Sequence, residues 1–281
     1  MRHRLIWWVM AVAAVVPAFG GTIVSVNLNS ASSFALLGST ITETGDSTIF
    51  GNVGATTTIT QNGAWTVHGT IYPAGNSTAM TAYSDFESAY NTTIGLGNTQ
   101  PLLSSLPLTQ TFTGNNVYTF TSDISTTTGT VLTFDAQNNP NEVFVIQVDG
   151  AFTVNGALQF DLINGAQANN IFWIVKDAAT ISVDGSTPQT FDGSILAGTS
   201  FTMSAIAGGS GDLAGTINGC VFSETANTLA GQTNVNGCVG GGVPGGAPGG
   251  AGSTPEPGSS ELVSLGCLLG IVAWRKFPVS L

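Results

Sequence analysis

Leu132-Thr133-Phe134, Phe144-Val145-Ile146-Gln147-Val148, Phe152-Thr153-Val154, Leu158-Gln159-Phe160-Asp161-Leu162, Phe172-Trp173-Ile174 and Ile181-Ser182-Val183 follow one another between Thr128 and Met203, and their reading decides the fold. In each segment apolar residues stand one apart, so an extended strand would bury one face and leave the other polar. The pattern returns as Phe191, Ile195/Ala197 and Phe201/Met203, on a drifting period of about twenty to thirty residues, the scale of a solenoid. A short strand with one wet face buries too little surface alone. Stacked three-sided coils remove that problem, so the spacing predicts a mostly β protein, an irregular three-sided β-helix.

The composition supports a packed body. Hydrophobic residues make up 42% of the 281 residues, enough for a β-domain with tails. Charged residues are only 7%, against roughly 25% in ordinary soluble domains. Disorder is excluded because the polar character comes from Thr, Ser, Asn and Gly beside many aromatic and β-branched residues. Arg2, Arg4, Arg275 and Lys276 lie in the two tails, which leaves Lys176 as the one cation of the body. Nucleic acid is thereby excluded as a partner, since neutralising phosphates takes many cations.

Along the chain, Arg2 and Arg4 precede the apolar run Leu5 to Val16 and the small residues Ala18 and Gly20, the parts of a secretory signal peptide over residues 1–20. An exported body, residues 21–238, would sit in an oxidising compartment. There Cys220 and Cys238 could pair and close the last coil, or remain as two free buried thiols. Cys267 has no evident partner. Phe34 to Thr44 opens the folded part, with Thr40, Thr42 and Thr44 as its only Thr-x-Thr array. Ala79, Tyr83, Phe86 and Tyr90 fall at helical spacing, which predicts a helix from Ser77 to Ile94 with Ser77 or Thr78 as N-cap and Gly95 as its stop. One amphipathic helix in a β chain has to lay its apolar stripe along the side of the solenoid. Residues 239–254 are almost all Gly, Pro, Ala and Ser and read as a linker. Pro255-Glu256-Pro257, the apolar run Leu262 to Trp274 and Arg275-Lys276 follow in that order. Together, residues 255–281 resemble the PEP-CTERM sorting signal of Gram-negative bacteria. That resemblance implies an exosortase-type processing enzyme at the membrane as partner, and a protein outside the cell or on its surface.

Little in the body could carry a reaction. Its acids stand singly at turns and strand ends, where Asp bonds its own backbone, and a polyuronate-cleaving site would want cations beside paired carboxylates. His68 is the one histidine of the body, so Ser/His and His-metal constellations have no support. No phosphate-cradling loop with its lysine is present. The reading is a non-enzyme without cofactor or metal.

Phe34-Ala35-Leu36-Leu37-Gly38-Ser39-Thr40, Gly51-Asn52-Val53-Gly54, Leu132-Thr133-Phe134-Asp135-Ala136-Gln137, Asn139-Pro140-Asn141-Glu142-Val143-Phe144 and Asn170-Ile171-Phe172-Trp173 resemble the microbial ice-binding proteins of the DUF3494 type, over roughly Ser32 to Val235. The resemblance implies a β-helix of triangular section with a long helix alongside, adsorption to an ice crystal surface, and no cofactor. An ice-binding monomer fits the residues too. Ice is uncharged and periodic, and a threonine offers a hydroxyl to hold ordered water beside a methyl that limits competing hydration. Strand parity selects the residues: with Phe152/Val154, Ile181/Val183 and Phe201/Met203 inward, Thr153, Thr180, Ser182, Ser200 and Thr202 point outward from successive coils. The resemblance aligns Thr233 with the end of that column, and Thr130 with Thr133 belongs to a second candidate face. A surface adhesin or biofilm-matrix protein with the same fold is the alternative.

Overall fold

The structure, a computed structural model, describes residues 24–183, 188–205 and 213–238. Residues 1–20, 239–254 and 255–281, read from the sequence as a leader, a linker and a sorting signal, lie outside these residues.

The chain begins with strands β1 (Phe34–Glu43), β2 (Thr48–Ile49), β3 (Asn52–Gln61), β4 (Thr66–Val67) and β5 (Ile71–Tyr72), then helix α1 (Ser77–Ile94). The lower coils carry β6 (Thr109–Thr113), β7 (Asn116–Phe120), β8 (Ile124–Ser125), β9 (Thr130–Asp135), β10 (Phe144–Val148), β11 (Phe152–Asn155) and β12 (Leu158–Ile163). The upper coils carry β13 (Ile171–Val175), β14 (Ala179–Val183), β15 (Gln189–Asp192), β16 (Ser194–Ala197), β17 (Ser200–Ala205), β18 (Leu213–Asn218), β19 (Val221–Leu229) and β20 (Gln232–Val235). Each coil visits three sides in turn, and neighbouring coils pair in parallel register, as Phe144 does with Asn116 and Ile171. This is the β-helix that the alternation predicts.

The order of coils differs from the order of the chain. Phe34 to Tyr72 forms further coils stacked on the C-terminal one, with Leu36 beside Val221 and Leu37 beside Phe222. The full stack on one side therefore runs β5-β3-β1-β19-β16-β13-β10-β7. Helix α1 returns the chain from the top of that stack to its bottom. Its 18 residues span about 27 Å at ~1.5 Å per residue, close to the ~29 Å covered by six strand spacings from β3 to β7. The N-cap is Asn76, whose side chain accepts from the Thr78 amide, and not Ser77 or Thr78. Gly95 ends the helix as expected.

The helix also changes the burial of the side it covers. Trp173, Val175, Ile146 and Phe144 point into the solenoid, while Phe172, Ile174, Val145 and Phe222 point out and are buried against Ala82, Phe86 and Tyr90. Phe172/Ile174 is thus a pair under the helix, and no wet face exists on that side. Inside, Phe112, Phe134, Phe152, Phe160, Trp173 and Phe191 interlock with ring centroids 4.8 to 6.4 Å apart. The last coil is closed by a Cys220–Cys238 disulfide.

Candidate functional site

The three sides offer different surfaces. The first is covered by α1. The second is split: β12-β9-β6 and β15-β18-β20-β2-β4 form separate sheets, bridged where the Gln189 side chain accepts from the Leu158 amide and donates to the Leu158 carbonyl. It also carries Asp135 and Asp161 on outward positions of its strands. The third side is one continuous run of seven strands, β8-β11-β14-β17-β19-β1-β3, because β19, β1 and β3 are long enough to cross from the helix side onto it.

Register places hydroxyls in rows on this third side. Ser125, Thr153, Thr180, Thr202, Thr228, Thr42 and Thr60 stand directly beside one another from strand to strand. At about 4.8 Å per strand the row is ~29 Å long. Ser200, Ala226, Thr40 and Thr58 form a parallel row, and Asn155, Ser182 and Ser204 a third, each about 7 Å from the first because side chains of one face repeat every two residues. The inner members are half-buried by their stacked neighbours, whereas Ser125 and Thr60 at the two ends are exposed. Alternate residues Phe152, Val154, Ile181, Phe201, Met203, Leu229 and Ile41 are buried in the core beneath. A β-branched side chain is restricted at χ1, and stacking beside like neighbours restricts it further, which favours an ordered row of hydroxyls.

Among the described residues no hydrogen bond engages the side-chain hydroxyls of the seven-membered row. Threonines elsewhere behave otherwise: Thr93 donates to the Ala89 carbonyl, Thr119 to Gln147 and Thr225 to the Thr199 carbonyl. No charged residue occupies an outward position of these rows. Charges instead flank the corner toward the helix, where Lys176 pairs with Asp149 and where Glu224 is pushed up by burial and by Glu87. At that corner Tyr83 donates to the Glu224 carbonyl at 2.6 Å and Tyr90 to the Val175 carbonyl at 3.4 Å. Burial, then neighbouring acids, push both phenols up to about 12.

Of the residues selected from the sequence, Thr153, Thr180 and Thr202 meet in the central row, and Ser182 and Ser200 flank it. Thr233 does not join them. It lies on β20 of the split side, points inward and is fully buried, because the alternation of β20 sends Thr233 and Val235 together into the core. Thr130 is likewise buried, on β9, its hydroxyl donating 2.8 Å to the Thr127 carbonyl. Neither presents a surface. Ser125, Thr228, Thr42, Thr60, Thr40 and Thr58 were not selected, although the Thr40/Thr42 spacing and the Thr58/Thr60 pair carry the same parity signal. Other chemistry is sparse. Among the described residues no three His, Cys, Asp or Glu side chains gather to hold a metal ion.

The sequence pattern of the family described as "Ice-binding-like" matches residues 35–236. The chain is 32% identical over 230 residues to an ice-binding protein of Flavobacterium frigoris (strain PS1), covering 76% of this chain and 77% of that one. It is 34% identical over 183 residues to an ice-binding protein of Nostoc sp. (strain HG1), covering 63% of each. Among solved structures, an ice-binding protein from an Antarctic biological consortium superposes with a TM-score of 0.63 at 27% identity, over 82% of this chain and 95% of the other. An Arctic yeast ice-binding protein with antifreeze activity superposes with a TM-score of 0.61 at 27% identity, over 79% and 97%.

Proposed function

We propose that this chain, which belongs to the ice-binding-like family, adsorbs to ice through its seven-stranded hydroxyl side. The observation that carries the reading is the row Ser125-Thr153-Thr180-Thr202-Thr228-Thr42-Thr60, set in register across one continuous sheet with no charged member. Liquid water exchanges among many hydrogen-bond arrangements, whereas ice offers a fixed lattice. A rigid grid of hydroxyls spaced by methyls bonds a few waters in fixed places and hydrates poorly between them. Waters so placed merge with a growing crystal face at little further entropic loss, because the protein already holds them. Each contact is weak, so attachment depends on the area and rigidity of the grid. The solenoid supplies both, since its rows are continued by the backbone ladder beneath. No step needs a nucleophile, a proton carrier or a cofactor.

Function outside the cell follows from residues 1–20 read as a leader. Residues 255–281 read as a sorting signal would bring the protein to an exosortase-type enzyme at the membrane, and the protein acts on ice as a monomer. The testing variant is Thr202→Tyr, at the middle of the row. A tyrosine there raises a ring above the grid without entering the core, so melting temperature should hold while thermal hysteresis falls by about tenfold, the expectation for contacts that act together through area. Thr190→Tyr on the split side should leave both unchanged. A folded Thr202→Tyr protein with wild-type ice activity would sink the assignment of this side, and a wild-type protein without ice activity would favour a surface-matrix role.

A further inference from the structure

The hydroxyl side is assembled from two distant parts of the chain that meet where β1 lies on β19. At that seam the corners do not match. Between the helix side and the hydroxyl side, β19 has two residues, Glu224 and Thr225, and β3 has two, Thr56 and Thr57. Gly198 and Thr199 likewise separate Ala197 from Ser200. β1 has one, Ser39, so its register shifts between Gly38 and Thr40 against both neighbours. A corner shorter by one residue breaks the regular backbone pairing there.

Asn227 stands at this break. It belongs to the inward column Phe201-Asn227-Ile41-Ile59 and is the one polar member of it. It is fully buried, and its Nδ2 donates to the Leu37 carbonyl at 2.8 Å. Gly38 makes room for it: a Cβ at Gly38 would lie 2.6 Å from Asn227 Nδ2 and 3.2 Å from the Ser223 carbonyl oxygen. A buried amide in an apolar column is unfavourable unless its partner needs it.

We propose that Asn227 and Gly38 form a positioning pair that sets the register of the N-terminal hydroxyl rows, so that Thr40, Thr42, Thr58 and Thr60 join the grid begun by the C-terminal coils. This rests on the ice-binding reading of that side. The mechanism is parity. A slip of one residue in β1 past the corner would turn Ile41 outward and Thr42 inward, and would carry β3 with it. The side-chain bond to the Leu37 carbonyl fixes the Leu37–Gly38 peptide just before the corner and so selects one register.

The test combines Asn227→Leu, which fills the column without the donor, with Thr42→Tyr as the direct block of the same rows. Wild-type and variant full-length proteins are compared for thermal hysteresis, melting temperature and amide hydrogen exchange at residues 40–43. The pair predicts that folded Asn227→Leu exchanges faster at residues 40–43 and loses ice activity at least about twofold, as a slipped register requires. Loss of activity in Thr42→Tyr with none in Asn227→Leu and no change in exchange would overturn the proposal. A mutant cycle keeps it testable if Asn227→Leu fails to fold: Gly38→Ala should be far less harmful in an Asn227→Ala background, and additive effects would count against the pair. If wild-type protein and Thr42→Tyr are equally inactive on ice, the ice reading fails by itself, and exchange and the cycle still decide the positioning pair.

Discussion

Thr233 and Thr202 are the same residue type on the same kind of strand, and one residue of parity separates their fates. Thr202 is half-buried on the surface between Thr180 and Thr228; Thr233 is buried on the strand that carries Val235, its hydroxyl without an intramolecular partner. A buried hydroxyl left unpaired is unfavourable, and removing it with a side chain of the same shape recovers that loss. Thr233→Val should therefore raise stability by about 1 kcal/mol in denaturant unfolding and leave thermal hysteresis untouched. A loss of ice activity in that variant would return Thr233 to the adsorbing surface. The contrast also shows what was legible at this scale. Parity within one strand, read from Phe152-Thr153-Val154 or Phe201-Thr202-Met203, places a hydroxyl correctly. Family resemblance aligns Thr233 with that column and Thr130 with a second face, whereas their own alternation with Val235 and with Leu132 and Phe134 sends them inward.

At the scale of the element, α1 was the most legible part of the chain, because Ala79, Tyr83, Phe86 and Tyr90 share one stripe and nothing else in the sequence repeats at that period. What the stripe does not show is that its two tyrosines also close a corner. Tyr83 and Tyr90 lie two helical turns apart and donate to carbonyls of β19's corner and of β13's end, fastening the helix to the edge of the hydroxyl side. Tyr83→Phe removes one half-buried donor to the Glu224 carbonyl, so it should lower stability by about 1 kcal/mol, seen as a shifted denaturant midpoint at unchanged slope. The same contacts carry a pH signature. Both phenols are raised from 10.0 to about 12, so the folded state holds these protons more tightly than the unfolded one. Their contribution is complete below pH 10.0 and is lost as pH rises through about 12;. Melting temperature should fall across that window in wild type and fall less steeply in a Tyr83→Phe/Tyr90→Phe protein. An equal slope in both would mean that the latch tyrosines are not the groups responsible.

For the whole molecule, the sequence shows coils but hides their stacking order. Coil length drifts from 18 residues near the top, where Asn52 bonds the Thr70 amide, to 28 lower down, where Thr119 bonds Gln147, so a fixed period cannot be traced from one end to the other. That Thr42 lies beside Thr228 follows only from closing the chain on itself through α1, a contact between residues far apart in sequence that no local pattern encodes. The closed stack leaves an acidic protein of net charge -11 with few cations to balance it, and folding buries several of its carboxyls. Glu43, Asp192 and Glu224 are each raised, first of all by burial. A raised carboxyl binds its proton more tightly in the folded state, so its contribution is fully present below the unfolded value and disappears as pH rises through the folded one. Asp135 is lowered by Asn164 and the Gln137 amide and acts oppositely, but only below its ordinary value of 3.8. Lowering pH from neutral toward 4.5 should therefore raise the melting temperature, and the reduced self-repulsion of a less charged chain works in the same direction. Asp192→Asn isolates the burial effect. Asn218 donates to Asp192 at 2.6 Å and Asn236 donates to Asn218 at 2.7 Å, so an asparagine at 192 would extend an existing amide ladder and retain the acceptor. At neutral pH this variant should melt a few degrees above wild type, with the advantage shrinking as the wild-type carboxyl takes up its proton. A neutral variant that melts below wild type would show that the Asp192 charge is stabilised by its surroundings and that the acid window must come from Glu43 and Glu224 alone.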